Sequence, residues 1–145
     1  MALTYDNLGV HFLYPENWTI ADEQTDDWPR GVSVESPGGA FWSLQIHPLP
    51  AEPKDLLDSA RTAIEEEYEN AEVAPAKEES DGVALTGYDI TFFYLDLIVQ
   101  VRLRAFRVAA RNYVLLYQAE DAEFETLELV FRALTASLLR GLNAA

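Results

Sequence analysis

Leu97-Ile98-Val99-Gln100-Val101-Arg102-Leu103-Arg104-Ala105-Phe106-Arg107-Val108 is the stretch that decides the fold. Leu97, Val99, Val101 and Leu103 alternate with Ile98, Gln100, Arg102 and Arg104. That period of two places successive side chains on opposite faces of a β-strand. The residues before it, Val83 to Tyr94, read as a second strand, and Asn112 to Gln118 as a third. Turns at Leu95-Asp96 and Ala109-Ala110-Arg111 join the three into a meander. Ile90, Phe92 and Tyr94 lie on one face of the first strand, and Phe93 and Leu95 on the other. A sheet covered at least partly on both faces accounts for apolar residues on both sides.

Working outward, the chain reads as strands, one helix, more strands and a closing helix. Gly9 to Tyr14 is a strand that Pro15 stops, because proline has no N–H for a ladder. Pro15-Glu16-Asn17 is turn chemistry, and Trp18-Thr19-Ile20 opens a return strand. Asp22 to Arg30 is polar and acidic and reads as a loop. Val32 to Ser36 is a short strand, Pro37-Gly38-Gly39 a turn, and Ala40 to His47 the next strand. A helix is expected from Pro53 to Asn70, with Leu57, Ala60, Ile64, Tyr68 and Ala71 as its buried stripe. Glu72 to Gly82 passes as a strand with exposed ends. The last helix spans Asp121 to Arg140, with Phe124, Leu127, Phe131, Leu134 and Leu138 facing inward. Acids at its start and arginines near its end suit the helix dipole, and Gly141 reads as its stop. The expectation is an α+β fold: a twisted antiparallel sheet with two main helices packed on it, in one domain over residues 1–145.

Composition sets limits on function. The chain has 145 residues, 49% of them hydrophobic, and no cysteine. Disulfides, thiolate metal sites and a cysteine nucleophile are therefore excluded. The net charge is −15, which argues against a nucleic-acid partner, since phosphate binding needs clustered Lys and Arg. No apolar run reaches the roughly 20 residues that cross a bilayer, so no membrane insertion is expected. The residues after Met1 lack a basic start and an apolar core, so no secretory signal is read there and the expected compartment is cytoplasmic.

Catalytic motifs are missing. His11 and His47 stand in different strands without ligand spacing, and zinc needs three or four ligands. There is no Gly-x-Ser-x-Gly elbow, and Pro37-Gly38-Gly39 is no phosphate loop. Adjacent acids such as Asp26-Asp27 arise by chance among 25. The expectation is a protein without catalytic residues, metal or cofactor. An alternative is a small-molecule binder or hydrolytic enzyme using a pocket between sheet and helices, with His11, His47 and Asp89 as its polar residues.

Three features point to a binding surface. Leu97 to Ala119 holds Arg102, Arg104, Arg107 and Arg111 and no acid, an inversion in so acidic a chain. Arg102 and Arg104 share one strand face. They either pair with acids of the same sheet or cradle a carboxylate. Trp28, Phe41, Trp42, Phe92, Phe93 and Tyr94 are candidates for exposed aromatic contacts. Glu65, Glu66 and Glu69 crowd a helix end that favours cations; they are either a solvated face paired with arginines or a docking patch for a basic partner. The partner-binding set is thus Arg102, Arg104, Trp28, Phe41, Trp42 and Phe93.

The order of elements resembles the PsbP-like fold, an α/β/α sandwich. The residues that carry the resemblance are Phe12-Leu13-Tyr14-Pro15-Glu16-Asn17-Trp18, Gly87-Tyr88, Arg111-Asn112-Tyr113-Val114-Leu115-Leu116-Tyr117 and Ala136-Ser137-Leu138. That fold is shared by the P subunit of the photosystem II oxygen-evolving complex, a Ran-binding release factor, and bacterial DcrB-like and Eag-type secretion chaperones. The resemblance implies a non-catalytic, protein-binding module, a homodimer in some members, with an adaptor or chaperone role for a secreted effector as its most concrete form.

Overall fold

The computed structural model describes residues 2–23 and 28–143. Its elements are β1 (Ala2–Asn7), β2 (Val10–Pro15), β3 (Thr19–Glu23), β4 (Arg30–Glu35), β5 (Phe41–Pro48), α1 (Pro53–Glu67), β6 (Glu72–Ser80), β7 (Val83–Tyr94), β8 (Leu97–Val108), β9 (Arg111–Glu120) and α2 (Asp121–Asn143). Seven strands form one antiparallel sheet in the order β3-β4-β5-β9-β8-β7-β6. β1 and β2 form a separate hairpin. The α+β architecture with two helices on a twisted antiparallel sheet is as expected, and the meander β7-β8-β9 has the expected core bounds.

The two sheet faces are unequal. On one, α2 and the β1–β2 hairpin cover Val32, Val34, Trp42, Leu44, Ile46, Leu85, Phe106, Leu115 and Tyr117, with Phe131, Leu134 and Leu138 from the helix. The Phe12 ring lies 5.1 Å from the Trp42 ring, and Trp42 Nε1 donates to Thr135 Oγ1 at 3.1 Å. On the other, α1 sets Leu57, Ala60, Ile64 and Tyr68 against Ile90, Phe92, Val101, Leu103, Ala105 and Leu116. The period-two reading of β8 therefore sorts its faces: Val101 and Leu103 lie under α1, and Arg102 and Arg104 face α2.

Five expectations change. Ala2–Asn7 is a strand that the sequence did not announce. The strand after Pro15-Glu16-Asn17 does not return along β2. The turn forms, with Trp18 N donating to Pro15 O at 3.1 Å, but it passes the chain from the hairpin into the main sheet, where β3 pairs with β4. The stretch Asp22 to Arg30 is strand at both ends, while 24–27, with the Asp26-Asp27 pair, lies outside the described residues. Gly141 does not stop α2, which runs on to Asn143. A Cβ on Gly141 would sit 2.4 Å from His11 O, so glycine serves close approach of helix and hairpin there. α1 ends at Glu67, where Tyr68 N still donates to Ile64 O.

Candidate functional site

Arg104 is 4% exposed, and its guanidinium is fully engaged. Nε donates to Glu78 Oε1 at 3.0 Å, Nη2 to Asp89 Oδ1 at 2.7 Å, and Nη1 to Tyr88 O at 3.0 Å. Arg102 lies 3.4 Å from Asp89, with its guanidinium over the Phe124 ring at 4.6 Å. The Tyr117 hydroxyl closes the network on Glu78 at 3.2 Å. Burial works to lower the Arg104 pKa, but the Asp89 hydrogen bond and the surrounding negative charge turn the net shift upward. Burial, followed by the charge of Glu78, pushes the Tyr117 phenol well above its usual range. Of the two roles that Arg102 and Arg104 allow, this is pairing with acids of the same sheet. Gly87 makes room for it: opposite Arg104 in the ladder, a Cβ there would lie 1.8 Å from Leu103 O.

The other named residues divide between core and surface. Trp42 is fully buried, and Phe92 is stacked on Tyr68 at 3.8 Å. Phe41 is half-buried. Trp28 is 37% exposed and Phe93 49%. Glu65, Glu66 and Glu69 face solvent, and Glu65 accepts from Arg61 at 3.2 Å. α1 has no basic residue in its last turn.

His11, His47 and Asp89 have separate surroundings. His11 lies 4.0 Å from Asp6, His47 neighbours Gln45 at 3.4 Å, and Asp89 holds the two arginines. Burial lowers the His47 pKa. Among the described residues, no three His, Asp or Glu side chains cluster as a metal needs, and no helix is long and apolar enough to cross a membrane.

The β7–β8 hairpin supplies the feature that residue-by-residue reading missed. Phe93, Tyr94, Leu95, Leu97 and Ile98 are all exposed, five large apolar side chains around one two-residue turn, with Asp96 the only charge. Single exposed apolar residues are ordinary, and a contiguous set is not. Leu95 is the extreme, 83% exposed with φ 57°. A left-handed conformation costs a non-glycine residue about 1–2 kcal/mol. The two-residue turn that pairs Tyr94 with Leu97 demands that angle, as the turns at Leu8, Asp81 and Ala109 do, and the side chain it presents is in water. The signal was available: an apolar turn where Asn-Gly is favoured. Below the tip, Tyr94 meets Tyr68 edge-on at 6.2 Å and Phe93 N donates to Asn70 Oδ1 at 3.3 Å, so the knob stands on an ordered base. A second apolar surface, an open groove of about 580 Å³, runs between the β1–β2 hairpin and α2 and is lined by Leu13, Tyr14, Leu129, Val130 and Ala133.

No protein-family model matches the chain, and no curated protein matches it in sequence. Solved structures do match in shape. Cyanobacterial PsbP (CyanoP) from Synechocystis sp. PCC 6803 superposes with a TM-score of 0.64 at 13% identity, covering 94% of this chain and 90% of that one. PA94, a protein of unknown function from Pseudomonas aeruginosa, gives 0.53 at 10% identity over 94% and 95%. A protein from Bacteroides thetaiotaomicron gives 0.60 at 9% identity, over 92% of this chain and 46% of its own. At such identities the likeness is one of fold, and the fold is PsbP-like.

Proposed function

We propose that the protein is a non-catalytic protein-binding module that inserts the β7–β8 tip into an apolar pocket of a partner. The observation that carries this reading is Leu95. A large apolar side chain, exposed at a turn position that favours Asn or Gly, gains no burial in the folded chain and is intelligible as a binding anchor. Phe93, Tyr94, Leu97 and Ile98 supply the surrounding apolar area, and the acidic remainder of the surface orients a partner whose contact is basic at its rim. An adaptor or chaperone for a secreted effector, which the resemblance to Eag-type chaperones implies, is the most concrete form of this function. A cytoplasmic location belongs to the same proposal.

The test is affinity capture from the native cell with the wild-type chain, Leu95→Gly, and Phe93→Ser combined with Leu97→Ser. Leu95→Gly relieves the left-handed strain, so its stability is expected to stay level or rise, by up to about 1 kcal/mol. Both variants are expected to lose the same partner. If that partner binds the two variants as well as it binds the wild type, the tip is not the contact.

A further inference from the structure

Seven of the ten basic residues make ion pairs with carboxylates. The other three are Lys77, Arg30 and Arg111; among the described residues neither arginine donates a hydrogen bond or lies in ion-pair contact with an acid. In a chain with 25 acids that is unexpected, and the two occur together. Arg30 stands opposite Ile46, and Arg111 opposite Pro48, so they flank the same end of β5 from the strands on either side. By strand period both point to the hairpin side, with Val32 and Tyr113 as their next same-face neighbours. Their guanidinium carbons lie 4.4 Å and 5.4 Å from the Trp28 ring centroid. Arg30 Nε is buried without an acceptor. One Arg111 terminal nitrogen lies 3.0 Å from where a Gly9 Cβ would be, so the β1–β2 turn holds that side chain in place.

We propose that Trp28, Arg30 and Arg111 form a clamp for the carboxylate of an apolar or aromatic ligand. Two cations against one ring repel each other, and a bound carboxylate converts that repulsion into two charge-assisted contacts. Guanidinium forks match a planar carboxylate two-pronged, and the open part of the indole gives the ligand's apolar body a surface. A groove of about 240 Å³ beside Gly31, Ser33, Ser43 and Gln45 lies on the opposite face of the sheet and is no part of the clamp. Asp22, opposite Val32 in the ladder, is on the same face as the arginines, and the Tyr5 hydroxyl donates to it at 2.7 Å. Its negative charge on that face disfavours multiply charged anions relative to a single carboxylate. The site lies at the opposite end of β8 from the Leu95 tip, about 40 Å away at 3.4 Å per residue, so it stands independently of the tip.

The test is a titration of the ¹⁵N-labelled chain with sodium benzoate, benzamide and inorganic phosphate, followed through the three indole N–H signals and the arginine Nε–H signals. Trp18 and Trp42 are buried, and their unmoved signals report an intact fold. Benzoate is expected to shift the Trp28 indole and the Arg30 Nε–H saturably, while the neutral benzamide leaves both in place. Arg111→Gln and Arg30→Gln are each expected to weaken benzoate at least tenfold. No saturable shift with benzoate, an equal response to benzamide, tighter binding of phosphate than of benzoate, or unchanged affinity in both variants would overturn the proposal.

Discussion

At the scale of single residues, Arg104 and Tyr117 show how the core decides what the sequence leaves open. An arginine between two acids is a buried cation with its charge returned on the spot, by Asp89 at 2.7 Å and Glu78 at 3.0 Å. Two arginines on one strand face announce either a ligand cradle or a local ion pair. The choice depends on Glu78, 26 residues away and aligned only once β6 adds to the sheet edge. Tyr117 carries a pH consequence. Its neutral phenol is favoured by burial and by the Glu78 carboxylate, whose charge opposes a tyrosinate and which accepts the phenol's hydrogen bond, so the folded state holds this proton more tightly than the unfolded chain does. The stabilisation is complete below pH 10, the ordinary tyrosine value. It is lost as pH rises further, because the unfolded state then binds fewer protons than the native state. Denaturant midpoints measured from pH 8 to pH 11 are expected to fall above pH 10, and Tyr117→Phe to fall less steeply. Tyr5, raised in the same direction by burial and Asp22, keeps part of the slope. Equal slopes in wild type and variant would remove Tyr117 from the cause.

Elements were legible where pattern and burial coincide. β7, β8 and β9 alternate strongly, so they are legible from period although their turns, Leu95-Asp96 and Ala109-Ala110, carry no strong turn residue. β1 was not legible because only Tyr5 of its six residues is buried, which leaves no alternation. The pairing of β2 was not legible because periodicity says which face a residue takes and nothing about which strand lies beside it. Gly141 shows the contest between local and tertiary terms. Alanine is the better helix former by about 1 kcal/mol, so a helix considered alone would gain from Gly141→Ala. Against that, the new methyl would meet a backbone oxygen of His11, and displacing packed backbone costs about 1–3 kcal/mol. The second term wins. Gly141→Ala is expected to lower stability by about 1–2 kcal/mol in chemical denaturation, and a gain would mean that α2 and the hairpin have slack between them. Leu13 N, which donates to Ser137 Oγ at 2.8 Å, lies in the same joint.

For the whole molecule, charge is the term that acts everywhere. Most of the ion pairs join side chains that are at least partly exposed, and such pairs are worth about 0–1 kcal/mol each. A net charge of −15 opposes compaction as a whole. Added salt screens both, and the repulsion is the larger. Melting temperature is expected to rise by about 3 °C between about 20 mM and 300 mM NaCl, equivalent to about 1 kcal/mol for a chain of this size. A fall would mean that the ion pairs outweigh the repulsion. The binding surfaces were half legible at this scale. Phe93 and Trp28 are legible as large aromatics in the sequence, whereas Leu95 needs a backbone angle and the Arg30–Arg111 pair the β4-β5-β9 register. The unbroken register of β8 from the tip to the turn before Arg111 has one more result, a mechanical one. The ribbon is a stiff beam whose hydrogen bonds lie across its length, so a tug on the Leu95 knob along the strand loads every rung in shear at once, and a partner under tension would let go before the sheet unzips.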